Sequence, residues 1–287
     1  MTTPLPSARQ LTDPREGLRY AETMPHIESQ GARINYRVIE GRGETGPDAE
    51  PLVLLHGFTA SSRTNWEFPG IAAALSATNQ LILIDFRGHG KSAKPIRSSA
   101  YSKAILAADV IAVMDRLAIP RARLFGYSMG AMIAAELLLT YPERFSAAIL
   151  GGMGIEWPPR NKGDGRDEEA EGFKPPELHR DRSLKRLLRY FTQTNGLAMG
   201  AAWRGIFRGQ PPMDASRLHE IRVPVLVIVG SRDRFCNGTR ALPQLIRDCR
   251  RVLVPGRGHL GTVADPALKA AAIEFLAEVR EPAEALR

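Results

Sequence analysis

The stretch Gly126-Tyr127-Ser128-Met129-Gly130 constrains this chain more than any other, because it sets one serine between two glycines where a strand must hand over to a helix. The apolar run Arg123-Leu124-Phe125 precedes it, and the helix-like run 131–139 follows. A serine at such a corner is expected to take positive φ, and the residues two positions away must lack side chains to avoid clashing. The strain lifts the hydroxyl into the open at a helix N-terminus, where developing negative charge is favoured. The pattern therefore predicts a nucleophile at Ser128.

The rest of the chain alternates strand-like and helix-like segments. Two β-like pieces open the fold, His26–Ser29 and 34–39, with Gly31 as the hairpin turn between them. Leu52-Val53-Leu54-Leu55 and Leu81-Ile82-Leu83-Ile84 are continuous apolar runs, as expected of strands covered on both faces. Residues 71–75 and 102–117 have helical character. Residues 124–125 lead to the serine turn and 147–150 form another short strand. This rhythm predicts right-handed βαβ units and a mainly parallel sheet. It breaks from Gly151 to about Ala215, where Pro158-Pro159, Gly163, Gly165, Gly172 and Pro175-Pro176 interrupt a charged stretch. Within it lie two apolar stripes, Leu184/Leu187/Leu188/Phe191 and Trp203/Ile206/Phe207. The rhythm resumes at 225–230 and 251–254, and a last helix begins with Asp265 as N-cap and Pro266 at its first position. An insertion between two parallel strands is expected to cover the strand C-termini, where open α/β sheets bind ligands. The chain thus divides into a loosely ordered tail (1–22), a core (23–150 and 216–287) and a lid (151–215).

An activated serine needs a base, and the base needs an orienting carboxylate. The loop after 225–230 offers Asp233, in Gly230-Ser231-Arg232-Asp233, and the loop after 251–254 offers His259, in Gly256-Arg257-Gly258-His259. Both follow strands, on the sheet edge that also carries Ser128, in the chain order expected of this strand–turn–helix chemistry. Glu156 is a competing acid, placed deeper in the insertion. His56 and His89 also follow strands and compete as bases. However, the segment Leu54-Leu55-His56-Gly57-Phe58 has more useful backbone: the amides of Phe58 and Met129 are expected to form an oxyanion hole. His89 reads as packing within its loop, and His179 and His219 as structural.

Taken in order, H-G-F, D-F-R-G-H-G-K-S, G-Y-S-M-G, V-G-S-R-D and G-R-G-H resemble the α/β-hydrolase superfamily. The closest branch is the capped group of carboxylesterases, cofactor-free haloperoxidases, epoxide hydrolases, haloalkane dehalogenases and C–C bond hydrolases. The resemblance covers about residues 24–279. It implies an eight-stranded, mostly parallel sheet flanked by helices, with an antiparallel first hairpin and a small helical lid inserted after the sixth strand. It assigns nucleophile to Ser128, base to His259, acid to Asp233 and oxyanion donors to Phe58 and Met129. One departure is Cys236, where relatives often have proline three residues after the acid. A serine nucleophile argues against dehalogenase and epoxide hydrolase chemistry, which uses aspartate. It suits ester cleavage through an acyl-enzyme, with C–C hydrolysis of vinylogous diketones, cofactor-free perhydrolysis and an idle ligand receptor as alternatives. No cofactor or metal is expected.

Composition limits the partners. The net charge of +8 is spread along the chain and interleaved with Asp and Glu, without a basic–aromatic platform, so nucleic acid is not an expected ligand. The densest basic stretch, 180–189, reads as a solvated helix face. No run is long and apolar enough for a membrane span, and the first twenty residues lack the apolar region of a secretory signal. Two cysteines, Cys236 and Cys249, make no disulfide framework or metal spacing, which suits a reducing cytoplasm. The expected partner is a small-molecule ester. Trp66, Met153, Trp157, Trp203 and Phe207, with Phe58 and Met129, are candidates for an apolar acyl pocket.

Overall fold

Strands buried on both faces, with helices over each face, build the molecule in three layers. The computed structural model describes residues 18–20, 25–42, 50–155, 196–208, 214–236 and 238–279. Strands β1 (His26–Ser29), β2 (Ala32–Ile39), β3 (Leu52–Leu55), β4 (Leu81–Ile84), β5 (Ala122–Tyr127), β6 (Phe145–Gly151), β7 (Val225–Gly230) and β8 (Cys249–Val254) form one eight-stranded sheet. Their spatial order is β1-β2-β4-β3-β5-β6-β7-β8. β1 pairs antiparallel with β2, and β2 with β4; every other pairing is parallel.

Successive residues of a strand point to opposite faces. Val53, Leu55, Ile82, Ile84, Leu124 and Val227 accordingly join one core. Leu52, Leu54, Leu81, Leu83, Phe125 and Leu226 join the other. The first face is covered by α2 (Lys103–Arg116) and α3 (Met129–Thr140) through Leu106, Val110, Met114, Ile133 and Leu137. The second is covered by α1 (Ile71–Leu75) and by the helix Pro266–Glu278, through Ile71, Leu75, Leu268 and Phe275. This double cover explains why β3, β4 and β7 read as unbroken apolar runs rather than alternating ones.

Helix starts follow local chemistry. Ser102 Oγ accepts from Ile105 N at 3.0 Å, capping α2. Asp265 Oδ1 accepts from Ala267 N at 2.9 Å ahead of Pro266, as expected for the N-cap and first position of the last helix.

Two features differ from the sequence reading. Arg19 and Tyr20, counted there with the tail, are held beside β2: Glu40 N donates to Arg19 O and Tyr20 bridges Ile39. Residues 63–67, for which the sequence offers no periodicity, form a π-helical turn. Most of the segment 151–215 lies outside the described residues. Its described parts are 151–155, the helix α4 (Gly196–Trp203), the π-turn Arg204–Arg208 and residues 214–215. Among the described residues no helix is long and apolar enough to cross a membrane.

Candidate active site

Sheet order sets the location. β3 sits between β4, which follows it in sequence, and β5, so the strands are added first to one side of β3 and then to the other, all of them parallel. Open α/β sheets bind ligands outside the C-terminal ends of strands at such a point. Leu55 of β3 pairs with Gly126 of β5, so Gly57 and Ser128, each two residues further on, leave the sheet side by side. On β7 and β8 Gly230 pairs with Val254, which brings the Asp233 and His259 loops out on the same edge.

Ser128 has φ 56° and ψ −116°, a conformation that non-glycine residues rarely adopt. The corner closes this tightly only because its neighbours are bare. A Cβ on Gly126 would meet the Gly130 carbonyl, and one on Gly130 would meet the Leu55 carbonyl. α3 starts at the next residue, so the Met129 amide lies at a helix N-terminus, where first-turn N–H groups lack intrahelical acceptors.

Ser128 Oγ lies 2.8 Å from His259 Nε2, and His259 Nδ1 lies 2.7 Å from Asp233 Oδ2. A carboxylate only accepts, so Nδ1 carries the proton and Nε2 is left to accept from the serine hydroxyl. The Asp233 side chain is fully buried while that of His259 is 10% exposed, which keeps the carboxylate dry and leaves the imidazole at the open end. Asp233 also accepts from Phe235 N at 2.9 Å and from Cys236 Sγ at 3.2 Å. Burial pushes the Asp233 carboxyl up, but the His259 bond and charge, Cys236 and the Phe235 amide outweigh it and hold the group below its usual range. Burial, reinforced by the Asp233 charge, pushes the Cys236 thiol far up, so it stands as a protonated donor. The imidazole is wedged between the rings of Tyr127 and Phe235, with centroids at 5.6 and 5.2 Å, and the Tyr127 hydroxyl donates to the His259 carbonyl.

The two other candidate histidines are occupied elsewhere. His56 Nε2 accepts from Phe86 N at 3.1 Å, so its Nδ1 carries the proton and donates to Gly57 O at 2.8 Å. That ring, with Asn65 Oδ1 accepting from Gly57 N at 3.0 Å, fixes the backbone leading to the Phe58 amide. Burial lowers the His56 pKa against the pull of Asp85. His89 donates from Nδ1 to Arg87 O, and its buried Nε2 has no partner; burial, then His56, brings its pKa down to about 3. Both rings are neutral braces, as the sequence suggested for His89. His219 is exposed, next to Ser216 O.

Among the pocket candidates, Trp203 and Phe207 pack on Phe58, with ring centroids at 5.6 and 5.4 Å, and on each other at 4.7 Å. Met153 follows Gly152, at which a Cβ would come within 3.0 Å of His259 Cε1. Trp66 does not join them. It is wholly buried in the core on the other side of the sheet, its ring 4.8 Å from that of Phe125, because the π-turn rotates it inward. Trp157 and the competing acid Glu156 lie outside the described residues. Sequence reasoning noted Cys236 as a departure but not its contact with the acid. Nothing in the sequence pointed to the Tyr127 hydroxyl bond or to the Asn65 brace.

Comparison with known proteins agrees with this architecture. A model of the alpha/beta hydrolase fold matches residues 50–263. A Bacillus subtilis protein named as a 2-succinyl-6-hydroxy-2,4-cyclohexadiene-1-carboxylate synthase is 30% identical, over 82% of this chain and 94% of its own. A Paraburkholderia phymatum 2-hydroxy-6-oxononadienedioate/2-hydroxy-6-oxononatrienedioate hydrolase is 32% identical, over 75% of this chain and 83% of its own. Among solved structures, Est816, described as an N-acyl homoserine lactone degrading enzyme, superposes with a TM-score of 0.66 at 26% identity, covering 88% of this chain and 99% of that one. With the model spanning the sheet from β3 to β8 and relatives aligned along most of its length, the chain belongs to the alpha/beta hydrolase fold family.

Proposed function

We propose that the protein is a serine hydrolase that cleaves carboxylic esters of small to medium size through an acyl-enzyme. The observation that carries this reading is the unbroken line from Ser128 Oγ through His259 to Asp233, with distances of 2.8 and 2.7 Å, at a serine held at φ 56°. As Ser128 Oγ attacks the ester carbonyl, its proton passes to His259 Nε2. Asp233 stabilises the imidazolium through Nδ1–H, and the Phe58 and Met129 amides receive the oxyanion. Each such amide typically contributes about 10²–10³-fold to turnover. His259 Nε2–H then protonates the departing alkoxide, and water repeats the sequence to release the acid. No step calls for a metal or cofactor.

The aromatic wall of Phe58, Trp203 and Phe207 suits an uncharged acyl chain, and Trp203 and Phe207 belong to the 151–215 segment, which we assign the part of a specificity-setting lid. The lactone-degrading neighbour supports acyl chemistry. The Paraburkholderia relative supports a second reading, hydrolysis of a C–C bond in a vinylogous diketone by the same serine. Two free cysteines, Cys236 and Cys249, favour action in a reducing cytoplasm.

Initial rates on p-nitrophenyl esters of graded acyl length, beside a vinylogous 1,5-diketone, test the proposal. Turnover highest on short-to-medium esters and unaffected by chelator is expected. Inertness to every ester with turnover of the diketone would hand the function to C–C hydrolysis.

A further inference from the structure

We infer that Asp233, Cys236 and His259 form a binding site for a soft divalent cation such as Zn²⁺ or Cd²⁺, and that its occupancy switches Ser128 off. Three donors of different kinds converge behind the imidazole. Cys236 Sγ is 3.2 Å from Asp233 Oδ2 and 3.8 Å from His259 Nδ1, and those two atoms are 2.7 Å apart. A tetrahedral zinc with bonds of about 2.0–2.3 Å to N, O and S holds its ligands roughly 3.3–3.6 Å from one another. The two edges to sulfur therefore change by roughly 0.3 Å, and the Asp233–His259 edge opens by about 0.6 Å, to accept the ion, with the fourth position left to water. Thiolate and imidazole select soft cations over Mg²⁺ or Ca²⁺.

Charge favours the exchange. A carboxylate and a thiolate cancel a dication, leaving the buried cluster neutral. The balance is one proton per ion: the Cys236 thiol releases its proton to solvent, and the His259 proton moves from Nδ1, now bonded to the metal, to Nε2. An imidazole protonated at Nε2 cannot accept from Ser128 Oγ, so the acceptor on which attack depends is gone. The ion is thus an inhibitor of a metal-free enzyme. Loss of turnover rests on the serine mechanism proposed above, whereas binding rests on the donor set alone.

The two are read separately by titrating the full chain with Cd²⁺ in a non-coordinating buffer, following cadmium–thiolate charge-transfer absorption and ester turnover together. One equivalent should raise the band and extinguish turnover in parallel, and a chelator should reverse both. Mg²⁺ should do neither. In Cys249→Ser, where Cys236 is the sole thiol, band and inhibition should persist. In Cys236→Ser the band should vanish and the half-inhibitory concentration rise by about tenfold or more, since loss of even an outer partner costs about 10–100-fold in metal affinity. Absence of the band in Cys249→Ser overturns the site whether or not Cys236→Ser folds. A band that saturates while ester turnover continues overturns the switch but not the binding. A band without any ester turnover in the metal-free protein would leave the site standing and refute the ester reading.

Discussion

Asp233 illustrates what a single residue must do here. Its carboxylate is buried, accepts from His259, Cys236 and the Phe235 amide, and fixes the tautomer that leaves His259 Nε2 facing Ser128. Asp233→Asn keeps the shape but presents a side-chain amide that can donate to Nδ1, so the ring turns its acceptor the wrong way. Turnover on a p-nitrophenyl ester should fall by about 10³–10⁴-fold while KM changes little. A loss below tenfold would mean another group orients the base. That Ser128, Asp233 and His259 would meet was legible in the sequence because each sits one short turn beyond an apolar strand, and strand ends on one edge of a parallel sheet are neighbours. Trp66 was misread for a physical reason. A large aromatic suits a core and a pocket wall equally, and the π-turn that decides between them leaves no 3.6-residue pattern. The Cys236 contact escaped because it depends on loop conformation rather than on periodicity.

At the scale of elements, the loop after β4 braces the sheet edge that carries Ser128 without contributing to the Ser128–His259–Asp233 line. Arg87 makes a two-pronged pair with Asp109 of α2, at 2.7 Å on each prong, and also donates to the Ser29 and Ala100 carbonyls, locking the loop to β1 and α2. Both side chains are buried. Arg87→Met leaves the Asp109 carboxylate buried and uncompensated, which should cost about 3–5 kcal/mol in urea unfolding. Adding Asp109→Leu should recover much of that loss; no recovery would show that shape rather than charge is at stake.

The same loop predicts acid sensitivity. His89 has a folded pKa of about 3 against an ordinary 6.5, so the unfolded chain binds a proton that the native ring refuses. Its contribution is therefore intact above about pH 6.5 and is lost as pH falls towards 3, at about 1.4 kcal/mol per pH unit. His56 shifts the same way and adds to the slope. His89→Asn, which keeps a donor for Arg87 O but does not titrate, should flatten the stability–pH curve in that window, as followed by urea unfolding at several pH values. An unchanged slope would contradict a buried neutral ring. None of this network was legible beyond the suggestion that His89 packs, because its members come from five separate segments.

For the whole molecule, the apolar runs and their spacing were enough to foresee a covered parallel sheet, since a strand buried on both faces has no polar side to show. The strand count and the antiparallel first hairpin came from the family resemblance, while the spatial order was not read at all, because a run such as Leu81–Ile84 carries no record of which neighbour it pairs with. That order matters most: it sets the switch point between β3 and β5, and with it the meeting of the Phe58 loop, the Ser128 corner and the two loops that carry Asp233 and His259. On the function proposed above, this meeting makes Ser128 a nucleophile. That role is tested most directly by treating the intact protein with a fluorophosphonate and locating the adduct by peptide mass spectrometry. The adduct should fall on Ser128, and Ser128→Ala should neither label nor turn over ester, with a loss of about 10⁶-fold. Labelling at another residue, or an alanine variant that hydrolyses ester near the wild-type rate, would contradict it.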